Sequence, residues 1–281
     1  MSFDRTALLD DTSLVGVEFC RRYAAAIDTW LAELYAEAAG DLGGVALLAR
    51  GGYGRSELSP QSDVDVLLLH AEKVDVSTVA ERLWYPIWDA GLKLGHSVAT
   101  PSQALSLAAQ DLETATSFLD ARVLAGDVEL GEHLVTLARS SWRNDSNRRL
   151  RELANSVEER HRRAGEVAFL LEPDLKLGRG GMRDDHALRW AEAAEPGLLE
   201  VSSDTLQSGY EVLLSARVEL HRITGRHSDR LLLQFQDDVA AAMGIDDADD
   251  LMAAIASAAR SIAWVSDSTW HQVRHRPRRR R

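Results

Sequence analysis

The sequence predicts an α+β fold in which a domain with a small mixed sheet is followed by an all-helical bundle domain. Short apolar runs bounded by turn residues, typical of buried strands, occur only before about residue 100. Beyond the polar stretch 140–147, the apolar residues recur at helical steps of three and four. We therefore expect a first domain over residues 1–140, a helical domain over 141–273 and a basic tail over 274–281.

The first domain opens with a long amphipathic helix between Ser13 and Gly40, where one apolar stripe continues for the whole segment. Two short apolar runs, at 45–49 and 64–69, are too short for helices and predict buried strands. A helix over 77–89 and a third strand over 92–98 follow them. Strands and helices thus alternate in this domain.

Helix starts are marked by capping residues in the second hundred residues. A threonine–proline pair at 100–101 places a capping hydroxyl before a proline at the first helical position. Asp111 predicts the N-cap of a further helix, which we expect to continue to Gly126. Helical stripes over 204–225 and 250–273 predict the two long helices of the bundle.

Composition limits the classes of function. The formal net charge of −12 opposes sequence-independent binding to nucleic acid, which needs a surplus of Lys and Arg. The basic run at 274–281 favours a solvated tail, with a nucleic-acid or partner arm as the lesser alternative. The single cysteine, Cys20, excludes a disulfide framework, and no apolar run is long enough to span a bilayer. We expect a cytoplasmic protein that binds no membrane.

Two aspartates form the main candidate site. Asp63 and Asp65 are two residues apart on a predicted strand, so both carboxylates leave the same face and can reach one cation. Because like charges repel, such a pair at the edge of a core is unfavourable without a counterion. Hard oxygen ligands suit Mg²⁺, which typically takes one or two protein carboxylates together with substrate phosphate. The alternative is a pair of solvated carboxylates where the strand meets a loop.

A pair of glycines precedes the aspartates and makes the metal interpretation more specific. Gly51 and Gly52 close the first strand, where glycine lets backbone N–H groups approach phosphate oxygens. Arg55 is a candidate phosphate ligand; the alternative is a surface ion pair with Glu57. A strand, two glycines, a short connection and Asp-x-Asp on the next strand indicate phosphoryl transfer.

Three segments resemble the bacterial PII uridylyltransferases of the GlnD family, within the DNA polymerase β-like nucleotidyltransferase superfamily. The first, Gly51–Leu69, is similar to the family's Gly-Gly-Tyr-Gly-Arg stretch and the Asp-x-Asp after it. Residues Trp88–Thr100 resemble the segment after the catalytic strands, and Pro173–Trp190 resemble the glycine-rich motif of the helical domain. The resemblance covers nearly the whole chain.

This resemblance implies transfer of UMP from UTP to a protein hydroxyl, a tyrosine of a PII signalling protein, by a two-metal Mg²⁺ mechanism. It implies that Gly51 and Gly52 hold the nucleotide phosphates and that Asp63 and Asp65 bind the metals. The Ala- and Arg-rich composition is typical of a GC-rich genome, and actinobacterial relatives tend toward adenylylation. ATP therefore competes with UTP as the donor.

The resemblance also suggests further residues. The superfamily usually has a third carboxylate on a later strand, but the third strand here has none, which leaves Asp111 as the nearest candidate and N-capping as its other role. His96 is either a base or phosphate ligand near the site or a structural histidine. Lys176 and Arg183, beside a flexible glycine turn, are expected to face the triphosphate, with Asp184 orienting Arg183; the alternative is an interhelical turn with surface charges.

Two other functions remain open at this stage. The missing third carboxylate favours a nucleotide-binding regulatory module of the same fold with weakened catalysis. A nucleic-acid polymerase relative is supported only by the arginine tail and is opposed by the net charge of −12.

Overall fold

The computed structural model describes residues 3–199 and 203–275. Within these ranges the helices are α1 (Thr6–Asp10), α2 (Gly16–Ala39), α3 (Gly51–Gly54), α4 (Ser77–Asp89), α5 (Pro101–Gln110), α6 (Leu112–Leu119), α7 (Val128–Asn144), α8 (Ser146–Ala164), α9 (Met182–Ala194), α10 (Ser203–Thr224), α11 (Gln236–Ala242) and α12 (Ala248–His275), with a 3₁₀ turn at Leu233–Phe235. The strands are β1 (Val45–Ala49), β2 (Val64–His70), β3 (Leu94–Ala99) and β4 (Arg122–Gly126). The predicted α+β class with a small mixed sheet is confirmed.

The chain divides into two compact units. Unit 1 comprises the chain up to Ser141 except for the short piece Val15–Val17, and unit 2 comprises that piece and the chain from Trp142 on. Within the polar stretch 140–147, α7 ends at Asn144 and α8 begins at Ser146. The polar stretch therefore contains the end of one helix and the start of the next.

The sheet of unit 1 has the strand order β3-β2-β1-β4. Strand β1 pairs antiparallel with β2, and all five of its residues are buried. Strand β3 pairs parallel with β2, and β4 pairs antiparallel with β1 across a register shift between Leu47 and Leu48. Because β2 lies between β1 and β3, its residues have a neighbour on either side.

The three predicted strands are present, but a fourth was missed. The helix capped by Asp111 ends at Leu119 and does not continue to Gly126 as predicted, because Arg122–Gly126 form β4. This strand lies at the edge of the sheet and its residues are only partly buried. It contains one β-branched residue, Val123, so neither composition nor alternation marks it as a strand.

The predicted helix starts are confirmed by their capping bonds. The hydroxyl of Thr100 accepts from the N–H of Gln103, and the Gln103 side chain accepts from the N–H of Thr100 at 3.0 Å. Asp111 accepts from the N–H of Thr114 at 2.7 Å. The reciprocal pair at Thr100 and the single bond to Asp111 satisfy donors that a helix start leaves open.

Unit 2 contains the two long helices that the stripes predicted, α10 and α12. They approach closely at Gly209, where a Cβ would lie 3.3 Å from the carbonyl oxygen of Ala258. Helix α12 also includes Arg274 and His275, which the sequence assigned to the tail. The Arg274 side chain donates to the carbonyl of Ala154 in α8 at 3.3 Å, and residues 276–281 lie outside the described residues.

No helix in the described part of the chain combines the length and the apolar character that crossing a bilayer requires.

Candidate active site

The two predicted carboxylates lie at the start of β2. Asp63 directly precedes the strand and is exposed, while Asp65 is its second residue and is partly buried. Gly95 is the neighbour of Asp65 in β3, and a Cβ on Gly95 would lie 2.0 Å from Asp65 Oδ1. Ser97 is paired with Leu67 and therefore shares this side of the sheet. We call the side that carries Asp65, Gly95 and Ser97 the carboxylate face.

The glycine turn lies beside the carboxylate face. Gly51 begins α3 with φ +54°, a conformation that favours glycine, and a Cβ on it would lie 3.8 Å from Asp65 Oδ2. Within the described residues, the backbone N–H groups of Gly51 and Gly52 have no hydrogen-bond partner, as expected for the first residues of a helix. The connection between β1 and β2 thus places open N–H donors next to a carboxylate.

Arg55 forms the ion pair that the sequence offered as the alternative to phosphate binding. Its Nε lies 2.5 Å from Glu57, and its Nη1 lies 2.6 Å from Asp120. The Arg55 side chain is 13% exposed, so both carboxylates hold it in a mostly buried position. The guanidinium is therefore occupied by protein partners.

Arg50 is a candidate that the sequence did not reveal. Its N–H donates to the carbonyl of Asp65 at 2.9 Å, continuing the β1–β2 register, so the two side chains leave the same face. The guanidinium lies over the ring of Phe118, 5.8 Å from its centroid. Burial lowers the pKa of Arg50, and the charge of Asp65 partly offsets this. In the sequence, its position directly before the glycine pair is the signal that could have identified Arg50 as a candidate.

His96 lies on the opposite side of the sheet from the carboxylates. It is paired with Val66 in β2, one residue out of phase with Asp65. Its ring packs against Trp84 and Trp88 of α4, with centroids 5.1 Å and 5.7 Å apart. The structure therefore supports the structural interpretation of His96.

No third carboxylate stands on the carboxylate face of β3, where Gly95 and Ser97 occupy the positions beside β2. The Ser97 hydroxyl is buried and has no hydrogen-bond partner in the described chain. Asp111 serves as the N-cap of α6, and its bonds to Thr114 lower its pKa. In residues 3–199 and 203–275 no three His, Cys, Asp or Glu side chains are grouped so as to hold a metal.

Lys176, in unit 2, lies in a buried charge network. Its Nζ is 3.7 Å from Asp229, which is 2.6 Å from Arg217 and 3.6 Å from His221. Burial alone would raise the pKa of Asp229, but the contact with His221 and the charges of Arg217 and Lys176 hold it well below its usual range. Burial lowers the pKa of His221 to about 4.

Asp184 is fully buried and has a structural set of partners. Arg160 pairs with it, His161 Nε2 lies 2.8 Å from it, and the N–H of Gly180 donates to it at 2.7 Å. Arg183 lies over the ring of Trp190, 5.9 Å from the centroid. The Asp184 carboxylate thus links α8 to the glycine turn. The expected role of Asp184 was to orient Arg183.

The glycine turn of unit 2 is closely packed, contrary to the expectation of a flexible turn. Gly180 has φ +81°, and a Cβ on it would lie 2.3 Å from the carbonyl oxygen of Ala259 in α12. A Cβ on Gly178 would lie 2.6 Å from Val167. These glycines are needed because the backbone itself contacts neighbouring elements.

Comparison with known proteins places the chain among nucleotidyltransferase sequences. The sequence model of the family described as GlnD PII-uridylyltransferase matches residues 148–270. A bifunctional uridylyltransferase/uridylyl-removing enzyme of Streptomyces coelicolor is 47% identical over 271 residues, which cover 96% of this chain and 32% of the relative. Proteins of the same name in Mycobacterium tuberculosis and Corynebacterium glutamicum are 44% and 38% identical, over 81% and 78% of this chain.

These matches confirm the predicted resemblance to PII uridylyltransferases, and the relatives are enzymes by name. The Mycobacterium and Corynebacterium alignments cover 29% and 31% of those relatives. The chain thus spans about a third of the length of the curated relatives it matches.

Proposed function

We propose that this chain, which matches the PII-uridylyltransferase family, is a nucleotidyltransferase that moves UMP or AMP from a nucleoside triphosphate to a protein hydroxyl. The acceptor would be a tyrosine of a PII-type signalling protein. The observation that carries the proposal is the carboxylate face, where Asp65 lies beside the open N–H groups of Gly51 and Gly52. It combines a place for a cation with a place for phosphate oxygens.

Asp63 and Asp65 have the chemistry expected of Mg²⁺ ligands. Both offer hard oxygen donors, and the absent Cβ of Gly95 leaves room for the Asp65 carboxylate. The buried Ser97 hydroxyl, without a protein partner in the described chain, adds a further oxygen on the same face. Asp63 and Asp65 would hold the Mg²⁺, and the bound metal would supply neutralisation of the triphosphate charge and activation of the acceptor oxygen, as a two-metal mechanism requires.

In the proposed reaction the acceptor oxygen forms a bond to the α-phosphorus while the bond to pyrophosphate breaks. Gly51 and Gly52 would bind phosphate oxygens through their N–H groups, since neither has a side chain in the way. Lys176 and Arg183 remain proposed triphosphate ligands on the resemblance alone, and Lys176 is a weaker candidate because its Nζ already lies 3.7 Å from Asp229. Arg55 is a weaker candidate because Glu57 and Asp120 already bind it.

The names of the relatives favour UTP as the donor, whereas the composition keeps ATP open. To decide, the chain is incubated with Mg²⁺, a PII protein and either UTP or ATP, and the PII protein is measured by intact mass. We expect a mass increase of one UMP or one AMP that disappears with EDTA. A PII protein with its tyrosines changed to Phe is the matched control. Absence of any adduct with every donor would contradict the proposal.

A second candidate function is a regulatory module that binds the nucleotide without turnover. Gly95 and Ser97 favour it, because they stand where a third carboxylate would be expected on β3. Nucleotide binding that depends on Asp65 but leaves the PII protein unmodified would support this candidate over the enzyme.

A further inference from the structure

Two arginines flank the glycine turn of unit 1, and their guanidinium groups differ in hydrogen bonding. Arg55 is bonded by the carboxylates of Glu57 and Asp120. Arg50, at the other end of the turn, has its Nε buried without a hydrogen-bond partner within the described residues. A buried guanidinium nitrogen without an acceptor is costly and needs an explanation. Arg149, Arg160 and Arg222 also have such a nitrogen, but each pairs with a carboxylate through another guanidinium nitrogen, whereas Arg50 stands beside the carboxylate face.

The position of Arg50 is fixed by the sheet. Its backbone is extended, at φ −132° and ψ 166°, and its N–H bonds the carbonyl of Asp65. Directly opposite residues of an antiparallel pair have Cβ atoms about 5 Å apart. Arg50 therefore reaches the carboxylate face from β1, as Gly95 and Ser97 do from β3. The guanidinium carbon lies over the ring of Phe118, 5.8 Å from its centroid.

The charge balance on this face depends on its occupant. Without a cation, the positive charge of Arg50 is offset by Asp65. A cation held by Asp63 and Asp65 would take over that negative charge and repel the guanidinium. Arg50 then needs an anion of its own, and the planar guanidinium fits phosphate oxygens in a two-bond geometry.

We propose that Arg50 is a phosphate-binding residue that recognises the β- and γ-phosphates of the donor nucleotide on the carboxylate face. This inference rests on the proposed function for the identity of the ligand. It assigns to Arg50 the role that the sequence suggested for Arg55. The consequence is selectivity, because a nucleoside monophosphate lacks the oxygens that Arg50 would bind.

The test measures binding by isothermal titration calorimetry with the full chain in Mg²⁺, using UTP, ATP and UMP as probes. Arg50→Met keeps the length and the packing on Phe118 but removes the charge. It should weaken UTP and ATP binding by about ten- to a hundred-fold, the range of a charge-assisted hydrogen bond, and leave UMP binding unchanged. Arg50→Lys should be intermediate, since it keeps the charge and loses the planar fork.

Arg22→Met is the matched control, because it removes one positive charge from an exposed pair with Glu18 in unit 1. It should bind all three nucleotides like the wild type. Thermal unfolding of each variant shows whether the fold is kept. If Arg50→Met does not fold, Arg50→Lys decides, and wild-type affinity for UTP in that variant would overturn the inference.

Equal UTP affinity in folded Arg50→Met and wild type also overturns it, as does a parallel loss of UTP and UMP binding, which would mean a structural role. A wild type that binds no triphosphate contradicts both this inference and the proposed function. If Arg50→Met weakens UTP binding but the wild type transfers nothing to a PII protein, the inference is sustained and the proposed enzymatic function is contradicted.

Discussion

The carboxylate pair of unit 1 and the buried aspartates of unit 2 lie in opposite settings. In unit 2, Asp184 is fully buried and bound by Arg160. Asp229 is mostly buried and bound by Arg217. In unit 1, Asp63 is exposed and Asp65 is partly buried, next to the open N–H groups of Gly51 and Gly52. The comparison teaches that a buried carboxylate among cationic partners indicates architecture, whereas a partly exposed pair beside open backbone N–H groups indicates a place for a ligand.

The largest effect should come from the metal pair. Asp63→Asn and Asp65→Asn should each lower transfer to a PII protein on the order of 10³-fold, comparable to removing a preorganised charge from an active site. The unfolding temperature should be unchanged for Asp63→Asn, because Asp63 is exposed. It should be lower for Asp65→Asn, because Arg50 loses its opposing charge. Wild-type transfer by both variants would place the chemistry elsewhere.

The converse experiment is made in unit 2. Asp184→Asn should lower the free energy of unfolding by about 3–5 kcal/mol, because Arg160 and His161 would lose the charge they surround. Denaturant unfolding measures it. Asp267→Asn, in a half-exposed pair with Arg179, is the control and should cost less than about 1 kcal/mol. Equal costs for the two variants would show that burial does not separate these sites.

The pH dependence of stability should reside in unit 2. His221 has its pKa lowered to about 4 by burial, so the unfolded chain binds its proton first as the pH falls. Stability is therefore lost between about pH 6.5 and pH 4, by up to about 3 kcal/mol. Below that window, Asp229 adds a further loss because its pKa is also depressed.

Unfolding temperatures recorded from neutral pH to about pH 4 test this expectation. A His221→Gln variant should have a flatter profile, and His271→Gln, at an exposed position, should keep the wild-type slope. A profile that His221→Gln leaves unaltered would assign the acid sensitivity to other groups.

The smallest effect concerns the arginine tail. Deleting residues 277–281 should leave the unfolding temperature and nucleotide affinity unchanged, since a short run of like charges cannot bury surface. Calorimetry of the truncated and full chains is sufficient. A fall of several degrees in the unfolding temperature would show that the tail is docked.

Local patterns were enough to predict most elements of the sheet and the residues of the carboxylate pair. The run at 45–49 is apolar throughout and the run at 64–69 is apolar except for Asp65, so hydrophobicity marks both as strands, and the spacing of Asp63 and Asp65 fixes their common side. Strand β4 was not predicted because its conformation depends on pairing with β1, and no local sequence pattern indicates that pairing.

Contacts between distant segments explain the remaining differences. That Arg50 stands opposite Asp65 follows from the register of two strands, which a single sequence does not state. Likewise, the bonds from Asp120 to Arg55 and from Arg160 to Asp184 join residues far apart in the chain. Residue types indicated charge chemistry correctly, but only the fold shows which charges are already matched.

Gly95 has a consequence for mutational tolerance. Because the Asp65 carboxylate fills the space of the missing Cβ, any side chain at position 95 has to displace it. In a library screened for transfer, this position should therefore be as intolerant of change as the aspartates themselves, although it carries no functional group. A single methyl group there would act as an inactivating lesion that leaves every acid in place.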